Sequence, residues 1–137
     1  ISDLTTALGE FVKKVTPKII YIPFINDAHT DHQVIGNAIQ SLIKWFRYPS
    51  VKKVLMYETL SETDFNFLGG KAFRPNVFID ISEYLNPKIE TMKIYRSELG
   101  IHPFPRSEKS ILALATLRGS QSGYESAEAF ELVMERY

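Results

Sequence analysis

Cysteine is absent from the 137 residues, which excludes disulfides, thiolate metal ligands and a cysteine nucleophile. The absence favours a reducing compartment, and the cytoplasm is the expected location. Any metal held by this chain must therefore rest on histidine and carboxylate. No window approaches the roughly 18 consecutive apolar residues of a membrane span. The opening stretch ISDLTTALGE lacks both the basic start and the apolar run of a signal peptide. Charge of one sign is missing as well: 16 basic residues balance 16 acidic ones. No net field exists to draw in nucleic acid or an anionic membrane surface, so neither is an expected partner.

What is present is ordinary for a globular protein, with 45% hydrophobic and 23% charged residues. The length suits one domain with a real core, read as residues 1–137. The chain opens at Ile1 inside what reads as a helix, so a further segment upstream is expected. Leu4, Leu8, Phe11, Val12 and Val15 recur at helical spacing until Pro17, which predicts a helix over 2–15. KIIYIPF (18–24) reads as a buried strand, and residues 31–47 as a second helix with Val34, Ile35, Ala38, Ile39, Leu42, Ile43 and Phe46 on one face. VKKVLMYE (51–58) and NVFIDI (76–81) are two further strand candidates. The segment 59–75 between them shows no clear period and reads as a long loop.

Ser82 is the expected N-cap of a helix that runs to Gly100, and IHPFPRS (101–107) is a constrained turn. A helix around Ile111–Leu117 is expected to stop near Gly119, and SAEAFELVMERY (126–137) reads as a terminal helix. Strands alternating with helices predict an α/β fold: a three-layer, mainly parallel, Rossmann-like sheet with helices on both faces.

The densest chemistry lies in FINDAHTDH (24–32), which holds two of the three histidines at a predicted strand end. Ligands collect at the carboxyl ends of strands in open α/β sheets. His29 and His32 are three residues apart, so both imidazoles fit on the first turn of a helix that Asp31 opens. A neutral imidazole ligates zinc well when its second nitrogen has an oriented partner, and Asp27 or Asp31 can supply one. A polar turn with Asp27 as an Asx residue, Thr30 or Asp31 as N-cap and two solvated histidines writes the same sequence. Both readings stand on spacing alone. DAHTDH also falls one histidine short of the H-x-H-x-D-H pattern of metallo-β-lactamase-like hydrolases. Only His102 remains downstream to complete such a site, so that reading is rejected.

YIPF followed by NDAHTDHQVIGNAI resembles the second conserved block of the PIG-L or LmbE-like zinc-dependent N-deacetylases, whose pattern is D-x-H-P-D-H before a helix. The likeness continues through YETLSETDFNF, FRPNVFIDISEYLNPKIETMKIYRSEL, HPFPRSEKSILALATLRGSQSG and AEAFELV, with Thr30 in place of the usual proline. The resemblance implies a zinc-dependent hydrolase that removes N-acetyl groups from an amino sugar or its conjugate. It implies His32 as a zinc ligand. It implies His29 as the imidazolium that faces the substrate carbonyl or leaving amine, and Asp31 as its orienting partner. An A-H-P-D-D-type block with the other ligands and the general base belongs upstream in that family and has no counterpart here. The chain is thus expected to be the C-terminal portion of the fold, with N-terminal strands missing. Alone it is expected to be inactive, to bind zinc weakly, and to self-associate through exposed edges.

Weaker candidates for the substrate rim are Tyr57, Glu58, Arg74, His102 and Arg106, with Phe65, Phe67 and Phe73 available to stack on a sugar. Surface salt bridges and tucked aromatics explain the same residues equally well. The alternative function is a non-catalytic α/β binding or assembly domain that keeps the His/Asp loop as a relic.

Overall fold

The computed structural model describes residues 2–137; Ile1, where an interrupted helix was expected, lies outside the described residues. The element order is α1 (Ser2–Val15), β1 (Ile19–Pro23), α2 (Thr30–Leu42), β2 (Lys53–Tyr57), β3 (Val77–Asp80), α3 (Leu85–Ile94), α4 (Glu108–Ser122) and β4 (Ala127–Glu135). The fold is mixed α/β, with one open four-stranded sheet in the order β1-β2-β4-β3. Among the described residues no helix is long and apolar enough to cross a membrane. The chain forms two compact units, one running to Arg74 and resuming at Phe130–Tyr137, the other Pro75–Ala129.

The first unit is organised by a β1-α2-β2 crossover. β1 and β2 pair in parallel, from Ile19 opposite Lys53 to Pro23 opposite Tyr57. Ile22, Val54 and Met56 from these strands, with Phe24 just past β1, meet Val12 of α1 and Ile39 and Leu42 of α2 in one buried cluster. Because the two strands are parallel, the loops that follow them leave from the same edge. One more hydrogen bond, from Phe24 N–H to Tyr57 O at 3.1 Å, carries the pairing past the end of β1.

α2 ends at Leu42, earlier than the apolar period through Phe46 predicts. Residues 44–48 turn instead, with Tyr48 N–H bonded to Lys44 O at 3.1 Å. Tyr48 is thereby folded into the core, while Trp45 and Phe46 stay in water at 66% and 62% exposure. Burial of one large ring has overridden continuation of the helix.

The expected terminal helix is a strand. Ala, Glu, Leu and Met are good helix formers, and that local preference favours a helix over 126–137. The unpaired side of β2 decides otherwise: β4 lies antiparallel to it, from Lys53 opposite Glu135 to Tyr57 opposite Phe130. A register shift at Val54/Leu55 leaves Val133 as the extra residue, which obscures the two-residue alternation in the sequence. The sheet therefore contains one parallel and one antiparallel pairing here, rather than the mainly parallel arrangement expected.

In the second unit α4 packs against α3 and β3. Ser82 does not cap a helix; its N–H and hydroxyl both bond the Asp80 carboxylate, at 2.9 and 2.5 Å. α3 starts only at Leu85 and ends at Ile94, short of Gly100. α4 is well delimited: the Ser107 hydroxyl accepts from Ser110 N–H at 3.1 Å, and Gly123 closes the helix at φ 82°. The helix passes through Gly119, where it was expected to stop. A side-chain carbon at Gly119 would come within 2.6 Å of Tyr124 O and 2.8 Å of Glu125 O, so glycine serves close approach there.

Candidate functional site

The loop after β1 turns at once, with Asp27 N–H bonded to Phe24 O at 3.1 Å. Asp27 is thereby carried inward and is fully buried. A buried carboxylate needs compensation. Its Oδ2 lies 2.7 Å from His32 Nδ1 and its Oδ1 accepts from the Thr63 hydroxyl at 2.6 Å. Its backbone carbonyl accepts from Gln33 Nε2 at 2.7 Å. Burial pushes the Asp27 carboxyl above its ordinary pKa, while the Thr63 and His32 bonds pull it back.

His32 is on the first turn of α2. With the Asp27 carboxylate at Nδ1, that nitrogen carries the hydrogen and Nε2 carries the lone pair. A carboxylate on Nδ1 orients the ring and leaves the Nε2 lone pair able to ligate a metal. His29 is itself the N-cap of α2, accepting Asp31 N–H on Nδ1 at 3.1 Å. Its ring hydrogen accordingly sits on Nε2. The two imidazoles stack with centroids 5.2 Å apart and planes 25° apart. His29 and Asp31 are exposed, and His32 is half-buried.

The predicted trio of His29, Asp31 and His32 is thus gathered on one helix turn. Asp27 proves to be the partner of His32. Asp31 reaches His29 through its backbone N–H. Tyr57, at the end of β2, belongs to the same neighbourhood: burial and the nearby Asp27 charge both raise its phenol pKa, so it persists as a neutral hydroxyl. Glu58 follows it, half-buried. Arg74 ends the first unit with an exposed side chain, its backbone N–H bonded to the Glu131 carboxylate.

The remaining two candidates belong to the second unit. His102 precedes a cis Pro103 and is exposed. Arg106 bonds Glu98 O through Nε at 2.9 Å and pairs with the Glu98 carboxylate at 3.3 Å. Its guanidinium also lies 5.4 Å from the centre of the Phe104 ring. These contacts hold the Pro-rich turn in place.

Thr63 and Asn66 hold the His/Asp loop, a part the sequence reading missed. Thr63 Oγ1 also accepts Thr59 N–H at 2.8 Å, Ala28 N–H bonds Glu62 O at 3.0 Å, and Asn66 Nδ2 bonds Asn26 O at 2.7 Å. The loop after β2 is therefore stitched to the His/Asp loop. No local pattern signals a hydroxyl 36 positions from its carboxylate partner.

Zinc is tested on the donor set. His32 with Asp27 behind it suits zinc, but among the described residues no group of three or more His, Cys, Asp or Glu side chains is placed to hold a metal. Catalytic zinc takes three protein ligands and an open position. The described residues fit one corner of such a site and do not complete it.

No protein-family model matches the chain. Among solved structures it is similar to N,N'-diacetylchitobiose deacetylase from Pyrococcus horikoshii complexed with its inhibitor MPG. The TM-score is 0.74 at 16% identity, over 96% of this chain and 51% of that one. It is also similar to a conserved protein from Thermus thermophilus, with a TM-score of 0.77 at 17% identity, over 100% of this chain and 61% of that one. At these identities the likeness is one of fold. The chain spans about half to three-fifths of the length of these structures.

Proposed function

We propose that this chain is part of a cytoplasmic, zinc-dependent N-deacetylase that hydrolyses the acetamido group of an amino sugar or its conjugate. The observation that carries the reading is the buried Asp27–His32 pair at the strand ends, with His29 stacked beside it. The fold shared with a deacetylase supports it. In this reading His32 is one zinc ligand, and the others come from outside the described residues. Zinc, when bound, supplies Lewis acidity toward the amide carbonyl and water. Asp27 keeps the His32 hydrogen on Nδ1. His29 acts as general acid as an imidazolium: its Nδ1, which here accepts Asp31 N–H, gives up that bond and takes a proton, and the Nε2 hydrogen then passes to the departing amine, returning the ring to its neutral form. Asp31 sets the His29 ring and offsets the positive charge that His29 takes up as an imidazolium. Tyr57, Glu58 and Arg74 are rim candidates, and His102 and Arg106 are weaker ones.

The same incomplete donor set favours a second reading, a non-catalytic binding or assembly domain that keeps the His/Asp loop. Either reading leaves residues 1–137 alone inactive and weak in zinc binding. Exposed Ile19 and Tyr21 on β1 make self-association part of both. The test uses the protein as its gene encodes it, with zinc content and acetate release from N-acetylglucosamine conjugates measured together. The deacetylase reading expects stoichiometric zinc, lost in His32→Ala. It expects retained zinc in His29→Ala with turnover down on the order of 10²–10⁴-fold. No acetate release, or zinc indifferent to His32→Ala, overturns it in favour of the second reading.

A further inference from the structure

The balance of 16 basic against 16 acidic residues conceals how charge is distributed in the first unit. β1 and β2 are parallel and β4 runs against them, so the starts of two strands and the end of the third share one edge. That edge is basic. Lys52 N–H bonds Lys18 O at 2.8 Å and Arg136 N–H bonds Lys52 O at 2.8 Å, which sets Lys18, Lys52 and Arg136 in one row, with Lys53 next to Lys52. Both helices of the unit finish at the same edge, because α1 runs into β1 and α2 into β2. Their ends add Lys13, Lys14, Lys44 and Arg47. Against these eight cations stand Glu10 and Glu135, paired with Lys13 and Lys53. Lys14, Lys18, Lys44, Arg47 and Lys52 are exposed. The opposite strand ends, where the histidines are, carry Asp27, Asp31 and Glu58 instead.

Apolar side chains stand among these cations. Trp45 and Phe46 are 66% and 62% exposed in the turn that leads to β2, and Phe11 and Val15 are 61% and 50% exposed on α1. The turn lies against α1, since a side-chain carbon at Gly9 would come within 2.5 Å of the Tyr48 hydroxyl. Cations and rings thus form one surface.

Its chemistry decides what it meets. A nucleic acid stacks its bases on open ring faces. Here Trp45 and Phe46 meet at 5.9 Å with planes 89° apart, and the Arg47 guanidinium lies over the Phe46 ring at 6.0 Å, so the rings are turned to one another and to a cation. A bilayer asks for no open face. It takes up the apolar bodies, holds an indole at headgroup depth and lets long Lys and Arg stems reach anionic headgroups.

We propose that this edge of the first unit docks on an anionic lipid surface, with Trp45 and Phe46 inserted and Lys18, Lys44, Arg47 and Lys52 on the headgroups. The chain is held at a membrane without crossing it, and the His/Asp loop, at the opposite strand ends, stays clear of the bilayer. The docking stands independently of the acetyl-removing chemistry.

The test sediments the protein as its gene encodes it with vesicles of phosphatidylcholine, alone or with phosphatidylserine added. Binding is expected with the anionic vesicles only, and is expected to weaken as salt is raised. Trp45 is the one tryptophan of the 137 residues. A blue shift of emission on binding, lost in Trp45→Phe, places it in the interface. Lys44→Ala/Arg47→Ala should weaken binding about 10–30-fold, at about fivefold for each cation. Trp45→Ser/Phe46→Ser should weaken it at unchanged charge. Lys14→Ala/Lys18→Ala repeats the charge test on another element, with thermal melts to show that each variant is folded. The proposal is overturned by equal binding to phosphatidylcholine alone, by no binding to anionic vesicles at low salt, or by binding indifferent to the charge and aromatic variants. Tighter binding to duplex DNA than to the vesicles at the same salt overturns it as well.

Discussion

Asp27 permits two substitutions that separate stability from chemistry. Asp27→Ala removes the acceptor from both His32 Nδ1 and the Thr63 hydroxyl. Hydrogen bonds to a charged group contribute about 1.5–3 kcal/mol each, and relief of the buried carboxylate offsets part of the loss. The expected cost is about 2–4 kcal/mol by urea unfolding. Asp27→Asn is different. Its oxygen can still accept from Thr63, but its amide then faces His32 as a donor. The imidazole must answer with its lone pair on Nδ1, which moves the ring hydrogen to Nε2. Stability at neutral pH should change by less than about 1 kcal/mol. If the deacetylase reading holds, metal affinity of the protein as its gene encodes it should fall about 10–100-fold.

The pH dependence has a definite sign. The folded-state pKa of Asp27 is raised, so its stabilising contribution is fully present below the unfolded value and is lost as pH rises through the folded value. Asp27→Asn should therefore gain stability relative to the unaltered protein as pH rises across that window. Imidazole ¹⁵N chemical shifts report the tautomer directly. A His32 lone pair that stays on Nε2 in Asp27→Asn, or an Ala variant costing less than about 0.5 kcal/mol, would show that Asp27 neither sets the tautomer nor supports the fold as derived.

Thr63→Val should destabilise by about 1–3 kcal/mol, since it strips a donor from Asp27 and an acceptor from Thr59 N–H. It should also move the Asp27 carboxyl titration upward, read by ¹³C NMR, because the Thr63 bond lowers that pKa. Ser107→Ala should cost about 1 kcal/mol through loss of the α4 cap, with Ser107→Asp recovering most of it in thermal melts. Gly119→Ala, a change that favours a helix interior by about 1 kcal/mol elsewhere, should destabilise here. The new carbon meets two backbone carbonyl oxygens that cannot rotate away, and the melting temperature should fall.

The elements legible in the sequence were those whose neighbours are local. α1, β1, β2 and β3 fall where periodicity and β-branched runs placed them, because each pattern is complete within a few residues. β4 was not legible, since its state depends on an open edge of β2 far away in sequence, and a bulge breaks its alternation. The ends of α2 and α3 were set by Tyr48 burial and by the Ser82–Asp80 turn, neither of which a spacing argument weighs. At the site, the gathering of His29, Asp31 and His32 follows from their places on one helix turn. The pairing of His32 with Asp27 needed the chain reversal after Phe24, and Thr63 needed the tertiary fold.

The interrupted first unit bears on how the chain is made. Residues 75–129 are synthesised before Phe130–Tyr137, so β2 emerges from the ribosome long before the strand that covers its second side. At about 5–20 residues per second that edge waits several seconds without its partner. The Lys53–Glu135 pairing, between residues on either side of the interruption, is among the last contacts within residues 1–137 to become available. Stalling translation before Phe130 should leave nascent chains prone to edge-to-edge association, and synthesis of residues 130–137 should suppress it.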